Sequence, residues 1–264
     1  MAFACKNSNY TMDIKVLYRL RVFSVEDVMN ALSVAKPTAA KILLRQQARG
    51  LVRSVRRNMY TAIDPGSDRP VADRYEIAAH ISPTSYIGWH SALEFHGLAQ
   101  QVFFKAYVGN HRRFSDFTFD GTEFAYCASP CDAGVISPGS NPEVRVTDLE
   151  RTLIDCCDHI DRAGGPEELM HSLEGIVMLD EDKLCQYLEA YHKAFLYQKV
   201  GFILERIKGQ AHISDSVIEL CRKHARNNVK RLTATGEATH YVGRWKLYVP
   251  EYYLSDKSMN YDLI

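Results

Sequence analysis

Four acids, Asp116, Asp120, Glu123 and Glu150, are the closest this chain comes to the carboxylate set of a metal-dependent nuclease. Such cleavage needs paired carboxylates that share cations, with a lysine nearby to meet developing charge. In "FSDFTFDGTEF", however, Asp120 precedes Gly121 in a hairpin-turn pair, and no Glu-x-Lys follows on the next strand. Cys127 and Cys131 in "CASPC", with His111 upstream, supply part of a zinc ligand set. A tetrahedral site usually draws on a second pair at similar spacing, and none follows. His90 and His96 stand six residues apart in a predicted helix, so they point to different faces and read as structural histidines. No glycine-rich phosphate loop and no Ser-His-Asp grouping is present. The expectation is a chain that is not an enzyme and carries no metal or cofactor. The alternative is a DNA-targeted nuclease, or other nucleic-acid enzyme, built on those four acids.

What remains is electrostatic. From Lys36 to Tyr60 the chain holds Lys36, Lys41, Arg45, Arg49, Arg53, Arg56 and Arg57 and no acid, although the whole sequence balances 32 basic against 32 acidic residues. Residues 1–64 carry eleven basic and four acidic residues, a net of +7, and the rest of the chain is −7. A positive field not cancelled locally suits a polyanion, because phosphates release counterions when lysine and arginine replace them.

The elements expected to position this charge are three helices and a hairpin. Ile14, Leu17 and Tyr18 fall at helical spacing in the first. "SVEDVMNAL" opens with Ser24 and Asp27 as a capping box and buries Val25, Val28, Met29 and Leu32. A third helix starts near Pro37 and stops at Gly50. On it Ala39, Ile42 and Leu43 form an apolar stripe, while Thr38, Lys41 and Arg45 share another face with Arg49 at its edge. Gln46 falls inside the stripe and needs a partner if buried; Leu44 falls outside it. "LVRSVRRNMYTAI" then reads as a two-stranded wing turning at Arg57–Asn58. The order is that of a winged helix-turn-helix, whose third helix enters the major groove. The predicted DNA contacts are Lys36, Thr38, Lys41, Arg45, Arg49, Arg53, Arg56 and Arg57, with the wing arginines on phosphates and Thr38, Lys41 and Arg45 on base edges.

The predicted architecture is α+β and mostly helical. A winged helix-turn-helix covers residues 1–64, a linker covers 65–80, and a mixed α/β C-terminal domain covers 81–264. A helix is expected around Tyr86–Leu98, a hairpin about Asp120–Gly121, and a strand before the helix of "RVTDLERTLIDCCDHI", capped by Thr147 and Glu150. Arg151 and Asp155 on that helix read as an ordinary i, i+4 ion pair. A long helical stretch over 180–207 is expected to break near Ala194 or Gly201, and a strand with an aromatic tail closes the chain. Seven scattered cysteines read as reduced thiols rather than a disulfide framework. No apolar run is long enough to span a bilayer, and "MAFACKNSNYTMD" lacks the pattern of a signal peptide, so a cytoplasmic protein without membrane contact is expected.

Four stretches in this order, "ARGLVRSVRRNMYTAIDP", "YIGWHSALEFHGL", "VRVTDLERTLIDCCDHI" and "YQKVGFILERI", resemble the AbiEi family of antitoxins from type IV toxin–antitoxin (abortive infection) systems. The likeness runs from about Ser24 to Ile207. It implies a bacterial autorepressor whose N-terminal winged helix binds inverted repeats in its own promoter, two copies on the DNA. It also implies a C-terminal domain that counteracts a nucleotidyltransferase-like toxin, and a role in phage defence. On this resemblance Thr38, Lys41, Arg45, Arg53, Arg56 and Arg57 would contact DNA, and no residue is catalytic.

Overall fold

Residues 13–20 form a helix (α1), and a left-handed turn at Arg21, φ 60°, ends it. Strand β1 (Val22–Phe23) and helix α2 (Val25–Leu32) follow, then α3 (Lys36–Ala48), β2 (Val52–Arg56) and β3 (Met59–Asp64). This is a computed structural model that describes residues 13–139, 141–233 and 240–254; Cys5 and the end of the Tyr-rich tail lie outside them.

Local chemistry accounts for these boundaries. Ser24 caps α2, its hydroxyl accepting from the Asp27 amide while the Asp27 carboxylate accepts from the Ser24 amide. Pro37 sits in the first turn of α3, and Gly50 at φ 72° ends the approach to β2. Asn58, at φ 55°, turns β2 into β3. Leu17, Phe23, Val28, Ala39, Leu43, Val52 and Ala62 pack as one core beneath α1–α3. Two features were not read from the sequence. Strand β1 pairs with β3, giving the order β1-β3-β2. A bulge between Ser54 and Arg56 also shifts the β2 register, so Val52 and Val55 both face inward although they stand three apart.

Residues 65–80, expected as a linker, are folded onto their neighbours. Strand β4 (Arg69–Pro70) pairs with the end of β3, and α4 (Arg74–Ala79) begins at Asp73, whose side chain accepts from the amides of Tyr75 and Glu76. The turn-forming "DPGSD" is real, but it joins two paired strands.

Beyond α4 the chain is mixed α/β. The strands are β5 (Tyr86–Ile87), β6 (Lys105–Asn110), β7 (Phe117–Phe119), β8 (Thr122–Ala128), β9 (Val135–Ile136) and β10 (Val146–Thr147). They form one sheet in the order β7-β8-β6-β5-β10-β9, parallel at β6–β8 and β5–β10. The helix expected from Tyr86 starts later: Tyr86 and Ile87 belong to the sheet, and α5 runs Trp89–Phe95. The β7–β8 hairpin turns at Asp120 (φ 46°) and Gly121 (φ 79°) as read from the sequence.

Helices α6 (Leu149–Asp158), α7 (Pro166–Glu174), α8 (Glu181–Tyr191), α9 (Ala194–Ile207) and α10 (Asp215–His224) pack around a second core. The break between α8 and α9 falls at His192, φ 49°. Gly201 lies inside α9, where any Cβ would come within 2.2 Å of the Trp245 ring. A small sheet of β11 (Lys230–Arg231), β12 (His240–Val242) and β13 (Leu247–Val249), in the order β11-β13-β12, closes this part. Thr147 does not cap α6. Asp148 does, accepting from the Arg151 amide, while the Thr147 hydroxyl bonds that of Thr152 and Glu150 accepts from the Asp180 amide.

Candidate nucleic-acid interface

The α3 surface is built by what its buried face takes away. Ala39, Ile42, Leu43 and Gln46 are buried, which turns Pro37, Thr38, Lys41, Leu44 and Ala48 outward. Thr38 and Lys41 are exposed as expected. Arg45 is not on that free face: it leans toward α1 and pairs with Asp13 at 2.9 Å, half-buried. Arg49 is exposed at the end of α3. The two amide atoms of Gln46 lie buried without a hydrogen-bond partner, the outcome its place in the apolar stripe warned of.

The acid-free run of sequence is not acid-free in space. Lys36 reaches Glu26 of α2 at 3.3 Å. That carboxylate also accepts from the Asn58 amide, and these bonds, Asn58 first, hold its pKa at about 2. On the β2–β3 hairpin, Arg53 pairs with Asp68 at 2.7 Å and approaches Asp120 of the β7–β8 turn at 3.6 Å. Arg56 lies over the rings of Phe114 (5.8 Å) and Phe117 (5.3 Å), and its Nη1 is buried with no hydrogen bond. Arg57 is exposed at the turn and makes no ion pair among the described residues. Of the eight expected contacts, Thr38, Lys41 and Arg57 are therefore outward and uncommitted, Lys36, Arg45, Arg53 and Arg56 already have protein partners, and Arg49, though exposed, is engaged as well.

The β2–β3 hairpin is also a joint. Val22, Val55 and Met59 share a hydrophobic cluster with Ile77 of α4, Val108 and Phe124 of the larger sheet, and Phe114 in the loop between β6 and β7. Arg21 forks onto Glu76 with bonds of 2.6 and 2.7 Å, and Asn141 reaches the same carboxylate at 3.3 Å. Beside Phe114 stand His111, Arg112 and Arg113, all exposed. These two arginines lie beyond the acid-free segment, so sequence reasoning missed them; the adjacent basic pair in "NHRRFSD" was the available signal.

The groups suggestive of catalysis are otherwise engaged. Asp116 accepts from the Tyr126 amide at 2.8 Å, Asp120 faces Arg53, Glu123 meets Lys105 at 3.1 Å, and Glu150 sits on α6 against Asp180. His90 is buried between Phe103, at a ring distance of 3.9 Å, and Glu168, at 3.2 Å; His96 bonds the Thr147 carbonyl. His111 pairs with Asp132, and Cys131 lies 3.3 Å from an Arg151 nitrogen. Burial pushes the Cys127 thiol up to about 12. Among the described residues no three His, Cys, Asp or Glu side chains gather as a metal site. None of the described helices is long and apolar enough to cross a membrane.

No protein-family model and no curated protein matches this chain. Among solved structures it is similar to the crystal structure of the RV2827C protein from Mycobacterium tuberculosis, with 13% sequence identity and a TM-score of 0.63. The match covers 89% of each chain. At that identity the likeness is one of fold.

Proposed function

We propose that residues 13–64 are a winged helix-turn-helix and that the protein is a sequence-specific DNA-binding antitoxin of AbiEi type, repressing its own operon. The observation that carries this reading is the solvent face of α3. It turns Thr38 and Lys41 outward, no acid occurs on α3 or in the wing turn, and Arg57 stands exposed at the wing tip. A helix presented in this way fits a major groove about 12 Å wide while its other side packs on α1 and α2. On this reading Lys41 and Thr38 meet base edges, and Arg57, with Arg53 once it leaves Asp68, meets phosphates. The DNA is duplex with inverted repeats, bound by two copies, and the remainder of the chain counteracts a nucleotidyltransferase-like toxin.

The test is binding to the DNA upstream of the protein's own gene, against a scrambled duplex, across a salt series. We expect a preference for the cognate duplex with a steep fall in affinity as salt rises. Arg57→Ala should weaken binding to both duplexes and reduce the salt slope by about 1, the value for a single phosphate no longer neutralised. Lys41→Ala should also change which sequences are preferred. Equal, weak binding to both duplexes would sink the proposal.

A further inference from the structure

The face of α3 that would enter DNA carries one group that charge does not explain. Leu44 is 66% exposed, and among described residues 13–64 no other large hydrophobic side chain is so open. It stands between Lys41 and Ala48, with Pro37 further toward the helix start. Of the apolar residues turned outward on α3, Pro37, Leu44 and Ala48, only Leu44 has a projecting side chain.

A lone exposed leucine on an arbitrary surface needs no explanation. Its position here is not arbitrary, because the charge beside it limits what can cover it. Lys41 is exposed next to it, and α3 contains no acid to offset that charge. An apolar protein partner would have to desolvate the ammonium, whereas a polyanion is attracted by it. In the major groove of duplex DNA every base pair presents hydrogen-bonding groups, and the C5-methyl of thymine is the largest apolar feature, standing where cytosine has only a C–H. Pressed against a donor or acceptor, Leu44 would strip it of water and return no hydrogen bond.

We infer that Leu44 is a specificity-determining residue that reads a thymine methyl group. This rests on the DNA-binding reading above and adds to it the base that the helix centre selects. Lys41 supplies charge or a donor to the neighbouring position, and Leu44 supplies discrimination against cytosine and against any duplex lacking the methyl.

The experiment begins with selection of duplexes from a randomised pool by the full-length protein. Each thymine in the enriched site is then replaced in turn by deoxyuridine, which removes the methyl and leaves base pairing intact. The expected result is one position per half-site where the replacement weakens binding about fourfold, the effect of withdrawing one apolar carbon from the interface. Leu44→Ala should bind the thymine and deoxyuridine duplexes equally, with an unchanged melting temperature since the side chain is exposed. Enrichment without a thymine requirement, or an unaltered thymine preference in Leu44→Ala, would overturn the inference and leave DNA binding standing. No enrichment of any sequence would overturn both.

Discussion

Gln46 is the residue at which this sequence works against its own fold. It is 1% exposed on the packed side of α3, and neither its Oε1 nor its Nε2 finds a partner. A buried amide left unsatisfied costs about 1–3 kcal/mol. Gln46→Met keeps the length and the unbranched shape, so the variant should be more stable by about 1–2 kcal/mol. Urea unfolding checks this through a higher midpoint at unchanged slope. A lower midpoint would mean that the amide is satisfied in solution by water. This position was legible beforehand, because helical angle alone places Gln46 in the stripe of Ala39, Ile42 and Leu43. Arg151 was not. Its spacing from Asp155 suggested a surface pair worth a few tenths of a kcal/mol, yet both are buried. Arg151 donates to Asp155 at 3.1 Å, to the Tyr191 hydroxyl at 2.6 Å, to the Tyr86 hydroxyl at 3.2 Å and to the carbonyls of Cys131 and Ala133. Removing one side of such a buried pair typically costs about 3–5 kcal/mol, since the other charge is left without compensation. The difference comes from strand β5 and helix α8 closing over the pair, contacts that lie 40 or more residues away in sequence.

At the scale of elements, the joint between the first three helices and α4 is held by Glu76. Burial alone would push its carboxyl up, but the hydrogen bond from Arg21, the Asp73 amide, the Arg21 charge and Asn141 outweigh burial and hold it below the ordinary glutamate value of 4.5. A carboxyl whose folded pKa is depressed contributes stability above its unfolded pKa and loses that contribution as pH falls through the folded value. Acid should therefore loosen this joint below about pH 4.5. Glu76→Gln should lower stability at pH 7 by about 1.5–3 kcal/mol, the range for hydrogen bonds to a charged group. It should also flatten the decline of stability on acidification. Unfolding free energies measured at pH 7 and at pH 4 for both proteins give the comparison; equal declines would mean that other carboxylates govern acid sensitivity. The joint shows why elements were more legible than their assembly. The capping box at Ser24, the stop at Gly50, the turn at Asp120–Gly121 and the break near Ala194 are each decided within a few residues, and reading them locally succeeds. Strand β1 is two residues long and exists because β3 pairs with it. Residues 69–70 look like loop until the end of β3 is placed beside them. The β2 bulge is fixed by the cores on which Val52 and Val55 pack.

Across the whole molecule the same separation of local from distant decides where the charge goes. A run of 25 residues without an acid made the positive segment conspicuous, yet Asp13, Glu26, Asp68 and Asp120 arrive from before and after it and take up Lys36, Arg45 and Arg53. The positive surface is thereby narrowed on α3 and the β2–β3 hairpin, and beside that hairpin it is extended by groups outside the segment. Arg112 and Arg113 are exposed next to Phe114, the ring that lies under Arg56. On the DNA-binding proposal the footprint crosses from the first 64 residues to the loop between β6 and β7 that holds these arginines. The double variant Arg112→Ala, Arg113→Ala should then weaken binding to cognate and scrambled duplexes alike. It should lower the salt slope by up to about 2, since each arginine neutralises one phosphate, without changing sequence preference. Melting should be little affected, because both side chains are exposed and the approach of Arg113 to the Tyr126 ring, at 6.0 Å, is a weak interaction. An unchanged slope with an intact fold would confine the interface to α3 and the wing, leaving the joint to Glu76 and the Phe114 cluster as a mechanical connection only.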